Sequence, residues 1–358
     1  MTTKPDKPTP DASIKETPAA NAAAEETPRK KETILSGMQP TGALHIGNLE
    51  GALRNWVALQ DEYWMYCCIV DWHALTADYE KPSVLKERIY QIALDWLAAG
   101  LDPEKCAIFV QSEVKEHAEL HLLFSMLITV PTLTRLPTYL DKKERLDSYG
   151  FLGYPVLQAA DICLYNANKV PVGKDQEKHI WLANDLAKRF NRLYKKVFNE
   201  PEALFTKIPV VPGMDNKKMS KSADNHIPIE FTDKQTEKRL KSYFTDPKKL
   251  RKGDPGTPEK CPVFMLHKVY SDKEVLAETK ADCKSGELGC VDCKMRLAHN
   301  MNTVLAPIRE RRVELAKHPD QVWDILATGG QRARQRAENV MDKVRSAMKM
   351  SYRKSKGK

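Results

Sequence analysis

The stretch ETILSGMQPTGALHIGNLEGALRNWVAL, residues 32–59, reads as a buried strand, a broken turn and a helix. TILSGM (33–38) is a short apolar run, and Pro40, Thr41 and Gly42 interrupt it. From His45 onward, Ile46, Leu49, Leu53, Trp56 and Val57 recur at helical spacing. The same alternation continues downstream. MYCCIVDWHAL (65–75) starts as a strand, KERIYQIALDWLAAGL (86–101) is an amphipathic helix, and CAIFVQS (106–112) is a third strand. Residues 113–149 read as a helical insertion, and GYPVLQAADICLYN (153–166) as a further helix. KVPVGKDQEKHIWLANDLAKRFN (169–191) gives a strand, a turn at Gly173 and a helix, and KIPVVPG (207–213) a last strand. Strands alternating with helices predict an α/β fold with a parallel, Rossmann-like sheet, and such sheets bind ligands at the carboxyl ends of their strands. From Phe231 onward the pattern is mostly helical.

A chain of 358 residues, 42% of them hydrophobic, has enough apolar material for two domains. Its net charge of +9 suits a polyanionic partner, though solubility alone would account for it. Neither a secretory leader nor a membrane-spanning run is visible, which predicts a cytoplasmic protein with reduced thiols and no membrane partner. Met1 to Lys31 is rich in Pro, Ala, Lys and Glu without an aromatic residue, and predicts a disordered tail over 1–32. Asp6, Asp11, Glu16, Glu25 and Glu26 argue against a mitochondrial transit peptide.

Two motifs suggest phosphate chemistry. TGALHIGN (41–48) opens a helix after a glycine-containing turn, where free backbone N–H groups and the helix dipole favour an anion. His45 can donate to a phosphate oxygen there, and Asn48 can reach a ribose or phosphate. KKMSKS (217–222) places three lysines within five residues, and Lys218 and Lys221 could hold the phosphates of a nucleotide as pyrophosphate departs. A strand–helix turn and a solvated basic loop are the plainer readings of each.

As a pair, HIGN and KMSKS resemble the signature of class I aminoacyl-tRNA synthetases. SGMQPTGALHIGN (36–48), VDWHALT (70–76), YPVLQAADICLYN (154–166) and VPVGKDQEKHI (170–180) together resemble the bacterial-type tryptophanyl-tRNA synthetases. The resemblance runs from about Thr33 to Asn225 and more loosely beyond. It implies a Rossmann-like catalytic domain over 33–226 with a connective insertion near 113–150, and a helical anticodon-binding domain over 227–317. C-terminal helices over 318–350 and a basic tail over 351–358 would follow. The implied activity is ATP-dependent tryptophan–tRNA ligation: Mg2+ with ATP activates L-tryptophan, which then passes to tRNA(Trp). A homodimer joined through the insertion is implied as well.

The resemblance assigns ATP to Gln39, His45, Gly47, Asn48, Gly173, Asp175, Lys218, Met219, Ser220 and Lys221. Gln39, His45, Lys218 and Lys221 would act on the reacting phosphates. For tryptophan it assigns Asp161 as acceptor of the indole N–H, Tyr154, Gln176 and His73 around the polar groups and ring, and Val170 and Val172 as walls. Gln158 departs from the pattern, since many relatives carry methionine there. Glutamine is similar to the tyrosyl branch and keeps tyrosine–tRNA ligase as a second reading. A non-catalytic RNA-binding paralogue is a third, against which the intact HIGN and KMSKS lysines stand.

Eight cysteines divide into two groups. Cys67, Cys68, Cys106 and Cys163 lie in apolar runs and read as small buried hydrophobes. Cys261, Cys283, Cys290 and Cys293 form C-x21-C-x6-C-x2-C, a spacing suited to four thiolates on one metal centre. Only one pair is tight, which favours a 4Fe-4S cluster over Zn2+, with free thiols or a redox disulfide as plainer readings. Some bacterial synthetases of the resembling kind carry such a cluster. Lys248, Lys249, Arg251, Lys252, Arg309, Arg311 and Arg312 are candidates for contact with the RNA backbone.

Overall fold

Strand β1 (Thr33–Met38) is the centre of a parallel sheet. On one side it pairs with β2 (Trp64–Ile69), and β2 with β3 (Cys106–Val110). On the other it pairs with β4 (Lys169–Val172), and β4 with β5 (Glu202–Phe205). The order is β3-β2-β1-β4-β5, so the chain reverses its direction of travel across the sheet between β1 and β4. Such a reversal opens a crevice at the carboxyl ends of the two central strands. The computed structural model describes residues 31–141, 148–173, 176–205, 211–249, 251 and 253–352. The predicted tail up to residue 30, Asp175, Lys252 and the end of the basic tail lie outside them.

Alternate residues of each strand enter opposite cores, as a two-residue repeat requires. Ile34, Met65, Cys67 and Ile108 pack on one face, and Leu35, Cys68, Ala107 and Phe109 on the other. The four cysteines of the apolar runs are all buried, as their context predicts. Helices cover both faces. After β1 the chain forms α1 (Ile46–Asn48), a π-turn segment (Leu49–Leu53) and α2 (Arg54–Leu59). The helix predicted there is present, but it carries a π segment that regular spacing does not reveal. Next come α3 (Asp71–Asp78) and α4 (Leu85–Ala99), the latter capped by Gly100 at φ +111°. The insertion holds α5 (Glu116–Ser125), α6 (Val130–Thr134) and α7 (Pro137–Leu140). It leads into α8 (Tyr149–Leu164), and α9 (Glu177–Leu193) follows β4.

Two features depart from expectation. Strand β5 is Glu202–Phe205, upstream of the strand expected at 207–213. Residues 207–210 of that expectation lie outside the described residues, and Pro212 makes only an isolated bridge to Lys218.

The C-terminal half comprises α10 (Asp233–Lys241), α11 (Pro262–Tyr270), α12 (Lys273–Ser285), α13 (Cys290–Ala316) and α14 (Pro319–Ala347). Helix α14 crosses the edge strand β3 so closely that a Cβ on Gly329 would lie 1.9 Å from the Ile108 carbonyl oxygen.

The second departure concerns the arginines proposed for RNA. Arg309 bonds Asp233, Thr236, Asn302 and the Ile229 carbonyl, and Arg312 pairs with Asp95 and Glu230. Arg311 donates to the Ala98 carbonyl at 2.9 Å. These three tie α13 to α10 and α4; the charges of Arg309 and Arg312 are met by carboxylates inside the fold, while Arg311 is exposed.

Candidate active site

The turn after β1 brings both phosphate motifs together. Gly42 takes φ +95°, a left-handed conformation that costs glycine little. Across from it, Lys221 Nζ donates to the Gly42 carbonyl at 2.9 Å, the Thr41 carbonyl at 3.1 Å and Thr41 Oγ1 at 3.3 Å. Two segments far apart in sequence thus meet at one point. Gly47 allows this approach, since a Cβ there would lie 2.9 Å from His45 Nδ1 and 3.3 Å from Met219 Cβ. Met219 is buried beneath the loop, while Lys218 is exposed.

Asn225, a residue the sequence reading passed over, organises the lysine loop. Its Oδ1 accepts from Ser220 N at 2.7 Å, and its Nδ2 donates to Asp215 Oδ1 and the Lys218 carbonyl. Gly213 makes room for it, because a Cβ there would fall 2.4 Å from Asn225 Cγ.

His45 is the cap of α1: its N–H donates to Asn48 Oδ1 at 3.2 Å. Burial, then the neighbouring His226 and Lys221, pushes its pKa down to about 4. At neutral pH it is an uncharged ring. Burial also lowers the Lys221 pKa, with Arg88 adding to the effect and Asp95 and Glu230 opposing it.

A pocket of about 350 Å³ opens at the carboxyl ends of β1, β2 and β4. Gln39 and Gly37 line it from β1, Val170 and Val172 from β4, and Tyr154, Gln158 and Asp161 from α8. His73 and Gln176 complete the predicted set, so every described residue assigned to tryptophan lies in one cavity. Gln39 connects it to the phosphate turn. Gly173 ends β4 and accepts from Gln176 N at 3.0 Å.

Asp161 is 2% exposed, and its carboxylate is fully engaged. His73 Nε2 lies 2.9 Å from Oδ2, and Gln111 Nε2 donates to both oxygens at 2.8 and 2.9 Å. His117 Nδ1 lies 2.6 Å from Oδ1, and its Nε2 is 2.7 Å from the Tyr165 hydroxyl. These partners come from α3, the turn after β3 and α5, segments that leave β2 and β3 at their carboxyl ends. Burial opposes the charge, but His117 and then His73 outweigh it and hold the Asp161 carboxyl below the usual range. Sequence reading found Asp161 and His73 and missed Gln111, His117 and His179. His179 Nδ1 lies 2.8 Å from Gln176 Oε1, and its Nε2 is 3.2 Å from the Tyr154 hydroxyl. Gln111 in CAIFVQS and His179 in KDQEKHI follow strand ends in the sequence, the one signal that could have found them.

The second cysteine group lies in the helical half. Cys261, Cys283, Cys290 and Cys293 line one small cavity together with Lys249 and Lys294. Among the described residues no three His, Cys, Asp or Glu side chains form a group spaced to hold a metal ion. The donor chemistry nevertheless suits a soft metal centre. Cys261 caps α11, and Cys290 and Cys293 occupy the first turn of α13, where helix dipoles favour thiolate. Burial, then the other three cysteines, pushes the Cys293 thiol up to about 12; a bound cation would reverse that preference.

Lys249 and Lys294 are 6% and 3% exposed. Lys249 donates to the Asp254 and Cys283 carbonyls, and Lys294 to the Lys241 and Tyr243 carbonyls and Thr245 Oγ1. Lys249, expected to face RNA, instead faces the thiols. Gly253 and Gly256 bring their loop onto α12: Gly256 N donates to the Cys283 carbonyl at 2.8 Å, and Gly253 N to Gly286 at 3.1 Å.

The family described as class I tRNA synthetases for tryptophan and tyrosine matches residues 27–306. A tryptophan–tRNA ligase from Thermotoga maritima is 48% identical over 328 residues, covering 89% of this chain and 99% of that protein. One from Aquifex aeolicus is 40% identical, covering 88% and 99%. The crystal structure of tryptophanyl-tRNA synthetase from Campylobacter jejuni, complexed with ADP and tryptophan, superposes with a TM-score of 0.82. It is 35% identical and covers 88% of this chain and 99% of that one.

Proposed function

Since the chain belongs to the class I tRNA synthetases for tryptophan and tyrosine and is a tryptophan–tRNA ligase, we propose how its residues divide the work. The buried Asp161 carboxylate in the pocket carries the reading. It accepts the indole N–H, while His73, Tyr154 and Gln176 surround the ring and the amino-acid polar groups. Val170 and Val172 hold the ring faces, and Gln158 packs where many relatives use methionine. The tyrosine reading is not retained, because relatives 48% and 40% identical over most of the chain are tryptophan–tRNA ligases.

Activation is an in-line displacement. The tryptophan carboxylate oxygen forms a bond to the α-phosphorus of Mg2+-bound ATP, and the bond from that phosphorus to the bridging oxygen of pyrophosphate breaks. No protein nucleophile is needed; positioning and charge carry the catalysis. His45, Gly47 and Asn48 bind the phosphates at the start of α1, with Gln39 beside the reacting phosphorus. His45 does this as a neutral donor. Gly173 and Asp175 hold the adenosine end, with Met219 beneath the lysine loop. Lys218 and Lys221, assisted by Ser220, meet the charge that grows on the leaving pyrophosphate. A terminal ribose hydroxyl of tRNA(Trp) then attacks the tryptophanyl carbonyl and AMP leaves. Tryptophan-dependent exchange of pyrophosphate into ATP tests this reading; exchange with tyrosine alone overturns it.

The helical region over 227–317 serves the anticodon, the helices over 318–350 buttress the sheet, and Lys248 and Arg251 are basic residues left for RNA. The four cysteines hold a 4Fe-4S cluster, with Zn2+ as the second reading. Two buried lysines against four thiols support an anionic centre, because buried charges are retained only when compensated. The cluster would supply a structural staple for a segment with little core of its own. Iron, sulfide and zinc content of protein purified without oxygen decides among a cluster, a zinc site and free thiols. The assembly is a cytoplasmic homodimer. Leu122, Met126, Val130 and Tyr149, exposed apolar residues in and beside the insertion, support a dimer surface there. Sedimentation of Met126→Asp tests it, a monomer being the expected product.

A further inference from the structure

Tyr165 and His117 are absent from the pocket wall, yet they are buried and joined in line to the carboxylate inside it. The two neighbours of His117 decide how its ring nitrogens are used. With a proton on Nδ1, the ring donates to Asp161 at Oδ1 while its Nε2 bonds the Tyr165 hydroxyl, and all three groups are satisfied. With the proton on Nε2, a bare nitrogen lone pair faces an ionised carboxylate at 2.6 Å, which is repulsive. The Tyr165 hydroxyl is fully buried, and burial pushes its pKa well above the ordinary value, so it remains a donor. Arg336 of α14 fixes the other end of Tyr165, donating to its carbonyl at 3.2 and 3.1 Å.

We propose that Tyr165 and His117 form a hydrogen-bond relay that holds a donor on Asp161 Oδ1 and so fixes the carboxylate that selects ligands with a ring N–H. The proposal rests on Asp161 being the indole acceptor. Both relay members are positioning residues; they touch the carboxylate or its neighbour and never the substrate. Gln111 supplies the adjustable partner. Its Nε2 reaches both carboxylate oxygens and can keep one while the other accepts from the indole. The relay holds a donor on Oδ1, which favours the ionised carboxylate and leaves Oδ2 as the oxygen that can meet a ring N–H. Ligands lacking the N–H set an apolar or accepting atom against this buried charge and gain no hydrogen bond in return, the situation that gives strong rejection.

The test uses full-length protein and pyrophosphate exchange with two amino acids: tryptophan, and its analogue with sulfur in place of the ring N–H. Wild type prefers tryptophan strongly. Tyr165→Phe removes only the hydroxyl and is expected to raise the tryptophan KM about tenfold with the ATP KM unchanged, and to cut the preference over the sulfur analogue about tenfold. His117→Asn, whose amide N–H can stand in for Nδ1–H, is expected to keep the preference within about threefold of wild type. Three results overturn the relay. Tyr165→Phe with unchanged KM and preference removes its role. Parallel rises in both KM values with a lowered melting temperature show structural support alone. A wild type that uses both amino acids equally removes Asp161 as the reader of the N–H, and the relay falls with it.

Discussion

The pocket around Asp161 and the lysine loop are the two ends of the proposed site, and they are built in opposite ways. Asp161 is held by three side chains from three separate segments, all nearly inaccessible, against the carboxyl ends of a parallel sheet. Lys218 and Lys221 lie on a loop organised by one asparagine, and among the described residues Lys221 donates to Thr41 and Gly42. Recognition requires geometry fixed before the ligand arrives, because a buried acceptor discriminates only if it cannot relax. Stabilising a departing pyrophosphate requires charge that can follow it, which a long side chain on a loop provides.

The largest expected effect strikes the rigid end. Asp161→Ala should lower tryptophan-dependent exchange by about 10³-fold in kcat/KM. It should also destabilise the protein, because His73, Gln111 and His117 lose their shared acceptor. Exchange close to wild type would break the comparison, since the carboxylate would then be architecture only.

The rigid end also reaches the C-terminal helix. Gly329→Ala forces a Cβ onto the backbone of β3, and overpacking against backbone cannot be relieved by a rotamer change. A loss of about 3 kcal/mol is expected in urea unfolding. An unchanged midpoint would mean that α14 can shift away from β3 freely. At the lysine-loop end, Lys221→Met should reduce kcat of exchange about 10²-fold and leave the tryptophan KM unaltered. A change confined to the tryptophan KM would place Lys221 with recognition and erase the division.

Much of this was legible in advance, for physical reasons. Apolar runs of period two and helical runs of period 3.6 had to bury their apolar faces, so the parallel sheet followed from residues 32–112. Asp161 came from the resemblance, with Ile162, Leu164 and Tyr165 beside it arguing against a surface carboxylate. His117 and Gln111 did not, because isolated polar residues beside a strand end look alike until tertiary structure brings their partners within 3 Å. The arginines of α13 misled for the same reason: a basic run looks solvated in sequence, whereas Arg309 and Arg312 find carboxylates on other elements. Strand β5 was missed because EALF is short, begins after Pro201 and lacks alternation.

The smallest expected effect concerns His45, which belongs to the phosphate end by position and to the rigid end by burial. Its folded pKa is about 4, lowered by burial and then by His226 and Lys221, against 6.5 when unperturbed. The unfolded chain therefore takes up a proton between pH 6.5 and 4 that the folded chain refuses. Stability tied to this ring is fully present above pH 6.5 and is lost as pH falls toward 4, an effect of about 3 kcal/mol. His226 and His121 are shifted the same way, chiefly by burial, and steepen the decline. His45→Asn removes one titrating group, so its unfolding midpoint should change less between pH 7 and pH 4.5 than that of wild type. Equal slopes would mean that His45 becomes protonated in the folded state. The motif would then meet phosphate with a cation, and charge at this end would no longer be confined to the lysine loop.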